Sequence, residues 1–158
     1  MKTGVLALQG NFREHERMLA LLGTETSLIR RPTELANLDA LIIPGGESTT
    51  IWNLMQRTGM ANAIIEHHSA GMAIYGSCAG AILLAKRIAG NQPSLSLLDI
   101  EIERNAYGRQ VDSFEAPIEI KNFKKPFPGI FIRAPVIERA GSGVEILARH
   151  NGKPVMVR

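Results

Sequence analysis

The stretch Met72-Ala-Ile-Tyr-Gly-Ser-Cys-Ala-Gly-Ala-Ile-Leu-Leu-Ala85 constrains the fold more than any other. An apolar run, Met72 to Tyr75, stops at Gly76. Cys78, the chain's single cysteine, follows between Ser77 and Ala79, and after Gly80 a second apolar run begins. This pattern predicts a strand, a sharp turn and a helix, with Cys78 at the apex. Gly76-x-Cys78-x-Gly80 has the spacing of a nucleophile elbow. The backbone at such an apex is strained, and the neighbouring residues must be small for the helix to pack close to the strand. The helix N-terminus then lies under the sulfur, where its N–H groups and dipole favour the thiolate. A plainer reading stands beside this one, since a lone cysteine in an apolar segment is often a small buried hydrophobe.

A chain of 158 residues fits one domain able to bury a core without staples. Hydrophobic residues at 45% and charged residues at 21% are ordinary for a globular protein. One cysteine excludes an intrachain disulfide framework and a multi-cysteine zinc site, and it fits a reducing, cytoplasmic setting. The first apolar run ends at Leu8, too soon for a secretory leader, and the longest one is broken by glycines, unlike a membrane span. The net charge of +3 raises the question of nucleic acid. The basic residues are scattered, however, and the densest group, Lys121, Lys124 and Lys125, reads as a solvated loop.

Taken in order, Gly4 to Gln9 reads as a strand buried on both faces, and Phe12 to Leu22 as a helix stopped by Gly23. Glu25 to Arg30 is a second strand, Pro32 to Leu35 a helical turn, and Ala40 to Ile43 a third strand ended by Pro44-Gly45-Gly46. Thr49 to Gly59 and Ala61 to His68 are helical, and the Cys78 strand and helix follow. This β-α-β-α-β-α order predicts a doubly wound α/β fold of flavodoxin-like type, with a mostly parallel sheet flanked by helices. After Gly90 the chain is β-rich, with strands expected at Leu97–Glu103, Ala116–Ile120, Gly129–Ile132 and Val144–Ala148. Asn151-Gly152 is a hairpin signal, with Lys153–Arg158 as the return strand.

Functional loops of such a sheet lie at the carboxyl ends of its strands. Gln9-Gly10, Pro44 to Thr49 and Gly76 to Cys78 are therefore expected to converge. The paired glycines Gly45-Gly46 match neither a P-loop nor a dinucleotide fingerprint, but they can present N–H groups to an oxyanion. The N–H of Ala79 is the natural second donor. A plain turn capped by Ser48 or Thr49 explains the same loop equally well. Arg104 and Arg133 could clamp a small carboxylate, although each alone reads as a surface residue. A thiol nucleophile needs a base, normally an oriented histidine. None of His15, His67, His68 and His150 has both an orienting acid and a route to Cys78.

Five blocks occur together and in order: Gly4-Val-Leu-Ala-Leu-Gln-Gly10, Pro44-Gly-Gly-Glu-Ser-Thr-Thr50, Gly76-Ser-Cys-Ala-Gly80, Arg104-Asn-Ala-Tyr-Gly-Arg-Gln-Val-Asp-Ser-Phe114 and Phe131-Ile-Arg-Ala-Pro135. Across essentially the whole chain this closely resembles the glutaminase subunits of pyridoxal 5′-phosphate synthases, within the triad-type (class I) glutamine amidotransferases. The resemblance implies that Cys78 attacks the side-chain amide of L-glutamine, forms a glutamyl thioester and releases ammonia. It implies oxyanion donors near Gly46 and Ala79, and glutamine binding by Gly46, Glu47, Ser48, Arg104, Ile132 and Arg133. It calls for no cofactor and no metal. The ammonia would pass to a partner synthase subunit that forms a dodecameric core, with no nucleic acid or membrane involved. The Gln9-Gly10 turn and the start of the first helix, Glu14-His15, are expected to form part of that interface.

Two departures from the family pattern follow. Ser77 stands where threonine is usual. The family's catalytic His and its orienting Glu lie in a His-Pro-Glu motif, which the 158 residues do not contain. The expectation is therefore a single amidotransferase domain, residues 1–158, lacking its C-terminal end. Two other classes compete with an enzyme: a non-catalytic docking or regulatory subunit of the same complex, and a cysteine redox or chaperone protein of similar fold.

Overall fold

The order of the first sheet follows from where the apolar runs lie. The computed structural model describes residues 1–104 and 113–158. Strands β1 (Lys2–Leu6), β2 (Glu25–Ile29), β3 (Ala40–Ile43) and β4 (Ala73–Gly76) form a parallel sheet in the order β2-β1-β3-β4. In the central strands β1 and β3, Val5, Leu6, Leu41 and Ile43 are fully buried. This is why they read as near-continuous apolar runs. Helices α1 (Phe12–Leu21), α2 (Ser48–Thr58), α3 (Met60–Ser69) and α4 (Ala79–Leu84) connect or follow these strands, with one 3-10 turn at Pro32–Leu35. Ile51, Met55, Met60, Ile64 and Leu83 complete the core on the helical side. The sheet order is that of a flavodoxin-like fold, as expected.

The helices expected at 49–59 and from 61 meet at Gly59, whose φ of +72° ends α2 in the left-handed region and opens α3. The α2 cap differs from the expected Ser48 or Thr49. Glu47 is the cap, its carboxylate accepting from the Thr49 N–H and hydroxyl, while Ser48 is buried in the first turn. Helix α1 packs on β1 and β2, yet it contains no buried residue, and Met18 and Leu21 are exposed.

The chain after α4 is rich in strands: β5 (Ala85–Ile88), β6 (Leu98–Glu103), β7 (Phe114–Ile118), β8 (Phe127–Phe131), β9 (Val136–Ala140), β10 (Ile146–His150) and β11 (Lys153–Val157). β5, β6 and β9 form a mixed sheet; β7–β8 and β10–β11 are antiparallel pairs, the latter turning at Asn151-Gly152 as predicted. β5 and β9 are additions to the predicted set. Ile118, Phe131 and Ala148 centre a small core there, packed by Phe114, Ile120, Val155 and Met156. In the basic loop, Lys121 pairs with Glu145 at 2.5 Å, and Glu145 also accepts from Arg158. These two cations hold the Glu145 carboxyl below its ordinary pKa. Lys124 and Lys125 are solvated, as predicted.

The described residues divide into two compact units. The first is Met1–Leu84 with Pro93–Leu95; the second is Ala85–Gln92 with Ser96–Arg158. The short return Pro93–Leu95 belongs to the first because Leu95 is buried and its N–H donates to the Leu83 carbonyl at 2.8 Å.

One group in the first unit runs against its surroundings. Thr3 in β1 is 2% exposed, and its hydroxyl has no hydrogen-bond partner among the described residues. An unmade bond to a buried hydroxyl costs about 1–3 kcal/mol. Thr3→Val should therefore raise stability by about 1 kcal/mol, read as a higher urea midpoint at unchanged m. A lower midpoint would show that the hydroxyl is satisfied.

Candidate active site

Parallel pairing in the order β1-β3-β4 brings three loops side by side at one end of the sheet. They interlock through backbone atoms. The Asn11 N–H donates to the Gly45 carbonyl at 3.0 Å, and a side chain at Gly10, whose φ is +102°, would overlap that same carbonyl. The Gln9 side-chain oxygen accepts from the Glu47 N–H at 2.9 Å. A Cβ at Gly46 would lie 2.9 Å from the Gly10 Cα as well as 2.6 Å from that oxygen, so glycine is needed for the two loops to meet. A Cβ on Gly45 would approach the Cβ of Cys78 to 3.5 Å, which places the glycine pair beside the cysteine.

The Cys78 turn has the expected form. Cys78 is exposed and has φ +49°. A non-glycine residue in the left-handed region is held there by its surroundings. The Ser77 N–H donates to the Ile43 carbonyl at 3.1 Å, the Gly80 N–H to the Ser77 carbonyl at 2.8 Å, and the Ile82 N–H to the Cys78 carbonyl at 3.1 Å. Helix α4 begins at buried Ala79, immediately after Cys78. The flanking glycines are required by contact: a Cβ on Gly76 would lie 2.6 Å from the Gly80 carbonyl carbon, and one on Gly80 would overlap the Ile43 carbonyl oxygen. Exposure and strain together set aside the reading of Cys78 as a small buried hydrophobe.

The candidate residues fall in both units. Cys78, Ala79, Gly46, Glu47 and Ser48 lie in the first, around the interlocked loops; Arg104, Ile132 and Arg133 lie in the second. Arg104 follows β6 and donates to the Gln92 side-chain oxygen at 2.7 Å. Ile132 is 52% exposed, and Arg133, at φ +44°, is like Cys78 a non-glycine residue in the left-handed region. The block Asn105 to Asp112, including Arg109, lies outside the described residues. An open recess of about 400 Å³ is lined by Glu119, Ile120, Lys121, Phe123, Lys124, Lys125 and Pro126 and contains none of the candidates.

The histidines separate clearly. His68 bonds the nearby Met72 carbonyl at 2.9 Å, a local helix-end contact. The His150 ring stacks 5.3 Å from both Phe114 and Phe131, with Asn151 at its Nε2. His15 is different. Its Nε2 lies 3.1 Å from the Ser77 hydroxyl, in hydrogen-bond contact with the residue before Cys78. Its ring meets Tyr75 edge-on at 6.4 Å. Burial lowers its pKa, partly opposed by Glu14. Sequence reasoning missed this contact because it joins residues 62 positions apart. The cue that remains is a histidine in the first turn of a helix whose preceding loop borders the cysteine turn.

Residues 5–158 match the SNO glutamine amidotransferase family. The chain is 52% identical to the pyridoxal 5′-phosphate synthase subunit PdxT of Pelotomaculum thermopropionicum, over the whole chain and 82% of that protein. It is also 52% identical to the subunit of the same name from Thermus thermophilus, over 98% of the chain and 82% of the relative. A crystal structure of a glutamine amidotransferase superposes with a TM-score of 0.93 at 50% identity, covering 99% of the chain and 84% of its own. A putative GMP synthase protein from Thermoplasma acidophilum, 15% identical, has a TM-score of 0.69 over 100% of the chain and 77% of its own, a likeness of fold.

Proposed function

Because the chain belongs to the SNO glutamine amidotransferase family, we propose that Cys78 is the nucleophile of a glutaminase subunit of pyridoxal 5′-phosphate synthase. The reaction is hydrolysis of L-glutamine to glutamate and ammonia for vitamin B6 biosynthesis. The observation that carries the assignment of Cys78 is its exposed position at φ +49° on the β4–α4 turn, beside the Gly45-Gly46 loop.

The Cys78 thiolate adds to the side-chain carbonyl carbon of glutamine. The negative charge that forms on oxygen is held by backbone N–H groups near Gly46 and Ala79. The carbon–nitrogen bond then breaks, the nitrogen takes up a proton and leaves as ammonia, and a glutamyl thioester remains. Water cleaves the thioester to glutamate and regenerates the thiol. Arg104 and Arg133 are suited to the α-carboxylate, and Gly46, Glu47, Ser48 and Ile132 to the rest of the amino acid. None of the four histidines is assigned as the base. The His-Pro-Glu motif to which the family resemblance gives that role is not among the 158 residues.

In this reading both units serve one amidotransferase domain in a cytoplasmic hetero-oligomer built on a dodecameric synthase, which uses the ammonia in a lyase reaction. Among the described residues no helix is long and apolar enough to cross a membrane. The test is covalent labelling, in the presence of the synthase subunit, by a diazoketone analogue of glutamine. One equivalent should attach to Cys78, read by peptide mass, and excess glutamine should block it. Labelling indifferent to glutamine would overturn the reading and favour a redox or chaperone role.

A further inference from the structure

We propose that His15 is a positioning residue for the nucleophile, acting through the Ser77 hydroxyl to hold the Cys78 turn in its reactive conformation. This rests on the reading of Cys78 as the nucleophile. Three observations carry it. First, the His15 Nε2 and Ser77 Oγ are 3.1 Å apart, and Ser77 is bonded directly to the apex residue. Second, Cys78 sits at φ +49°, where a non-glycine backbone relaxes unless it is tied down. The backbone ties at this turn run along the chain or to β3; the His15 contact is a side-chain tie from a different element, α1. Third, the His15 ring is placed rather than free. The loop before it is pinned by Asn11 N–H on the Gly45 carbonyl, and the ring is half-buried and edge-on to Tyr75, the last side chain before Gly76.

The protonation state suits the role. Burial favours the neutral ring, which keeps one donor and one acceptor nitrogen. Either tautomer can pair with a hydroxyl, because Ser77 can donate or accept. A threonine at position 77 would keep the bond; an alanine would lose it. The inward contact also means that His15 cannot be read simply as a solvated first-turn residue.

The test uses His15→Leu, His15→Gln, Ser77→Ala and the His15→Leu/Ser77→Ala double variant. Glutamine hydrolysis is measured with the synthase subunit, and the second-order rate of iodoacetamide alkylation is measured on each variant. With one cysteine in the chain, alkylation reports Cys78 alone. His15→Leu and Ser77→Ala should each lower kcat by about tenfold with KM within about twofold, since small misplacements of reacting groups are costly. The double variant should lose no more than either single change, because both remove one interaction. His15→Gln, whose amide reaches the same hydroxyl, should recover most of the rate. Alkylation should slow in the same order. Rates equal to or above the parent's, additive losses, or failure of glutamine at position 15 to rescue would overturn the proposal. Should His15→Leu fail to fold, Ser77→Ala and His15→Gln still decide it. Should the parent chain not hydrolyse glutamine, the proposed function fails, while alkylation still tests the His15 contact.

Discussion

Replacing Cys78 by alanine should reduce glutamate release, measured with the synthase subunit, by at least about a thousandfold, because the covalent route is removed entirely. No second thiol exists in the chain to take over. On the proposed function, the oxyanion donors and the amino-acid site would remain, but nothing would be left to attack the carbonyl they hold. Cys78→Ser should be nearly as inactive, since a serine hydroxyl ionises far less readily than a thiol and the helix start lowers that barrier by only a small amount. Neither change should unfold the chain. Alanine and serine both accept the backbone of the turn about as well as cysteine does, and the side chain is exposed. Near-parental circular dichroism with lost glutamate release is the expected pair of results. Residual turnover above about one per cent of the parent would place the nucleophile elsewhere.

The second large effect is on stability. Gly80→Ala should cost roughly 3 kcal/mol or more, or leave the chain insoluble, because the new methyl would overlap the backbone oxygen of Ile43 in β3. A clash with a flexible side chain could be relieved by a rotation. This one can be relieved only by moving α4 off the sheet, which would also disturb Gly76, whose own Cβ position faces the Gly80 carbonyl carbon at 2.6 Å. Gly143→Ala is the control. Nothing lies within 4 Å of its Cβ position, and its cost should stay within about 0.5 kcal/mol. Urea unfolding of the pair separates the steric argument from a general penalty for losing glycine. Equal midpoints would refute close helix-to-strand packing as the reason for that glycine.

What could be read from the sequence was the part whose cause is local. The strand at Ala40–Ile43 was read to the residue because it is one short apolar run, fully buried on one face and half-buried on the other, stopped by Pro44-Gly45-Gly46. The Asn151-Gly152 turn and the Cys78 elbow carry their backbone conformations in their composition. What escaped depended on partners distant in the chain. Ala85–Ile88 was given no element of its own, because it directly continues the apolar run after Cys78. It becomes strand β5 by pairing with β6, its ends buried and its Lys86 and Arg87 exposed. β9 was hidden because Glu138 and Arg139 interrupt any alternation, and its pairing with β6 decides it. The cap of α2 shifted to Glu47 because a longer carboxylate side chain reaches the Thr49 donors. The same holds for function. The Cys78 turn and its glycines are legible in five consecutive residues, whereas the His15–Ser77 contact and the Arg104–Gln92 bond exist only once the chain is folded.

The return of Pro93–Leu95 to the first unit has a consequence for synthesis. On a ribosome the four-stranded parallel sheet is complete once Gly76 has emerged. The helix that carries the elbow is clamped later, when Leu95 arrives to bond Leu83. At about 5–20 residues per second that interval is on the order of one to four seconds. Ile82, Leu83 and Leu84, buried in the folded chain, emerge within it, before that bond can form. In that interval Cys78 has already left the exit tunnel while α4 still lacks its tie to Leu95.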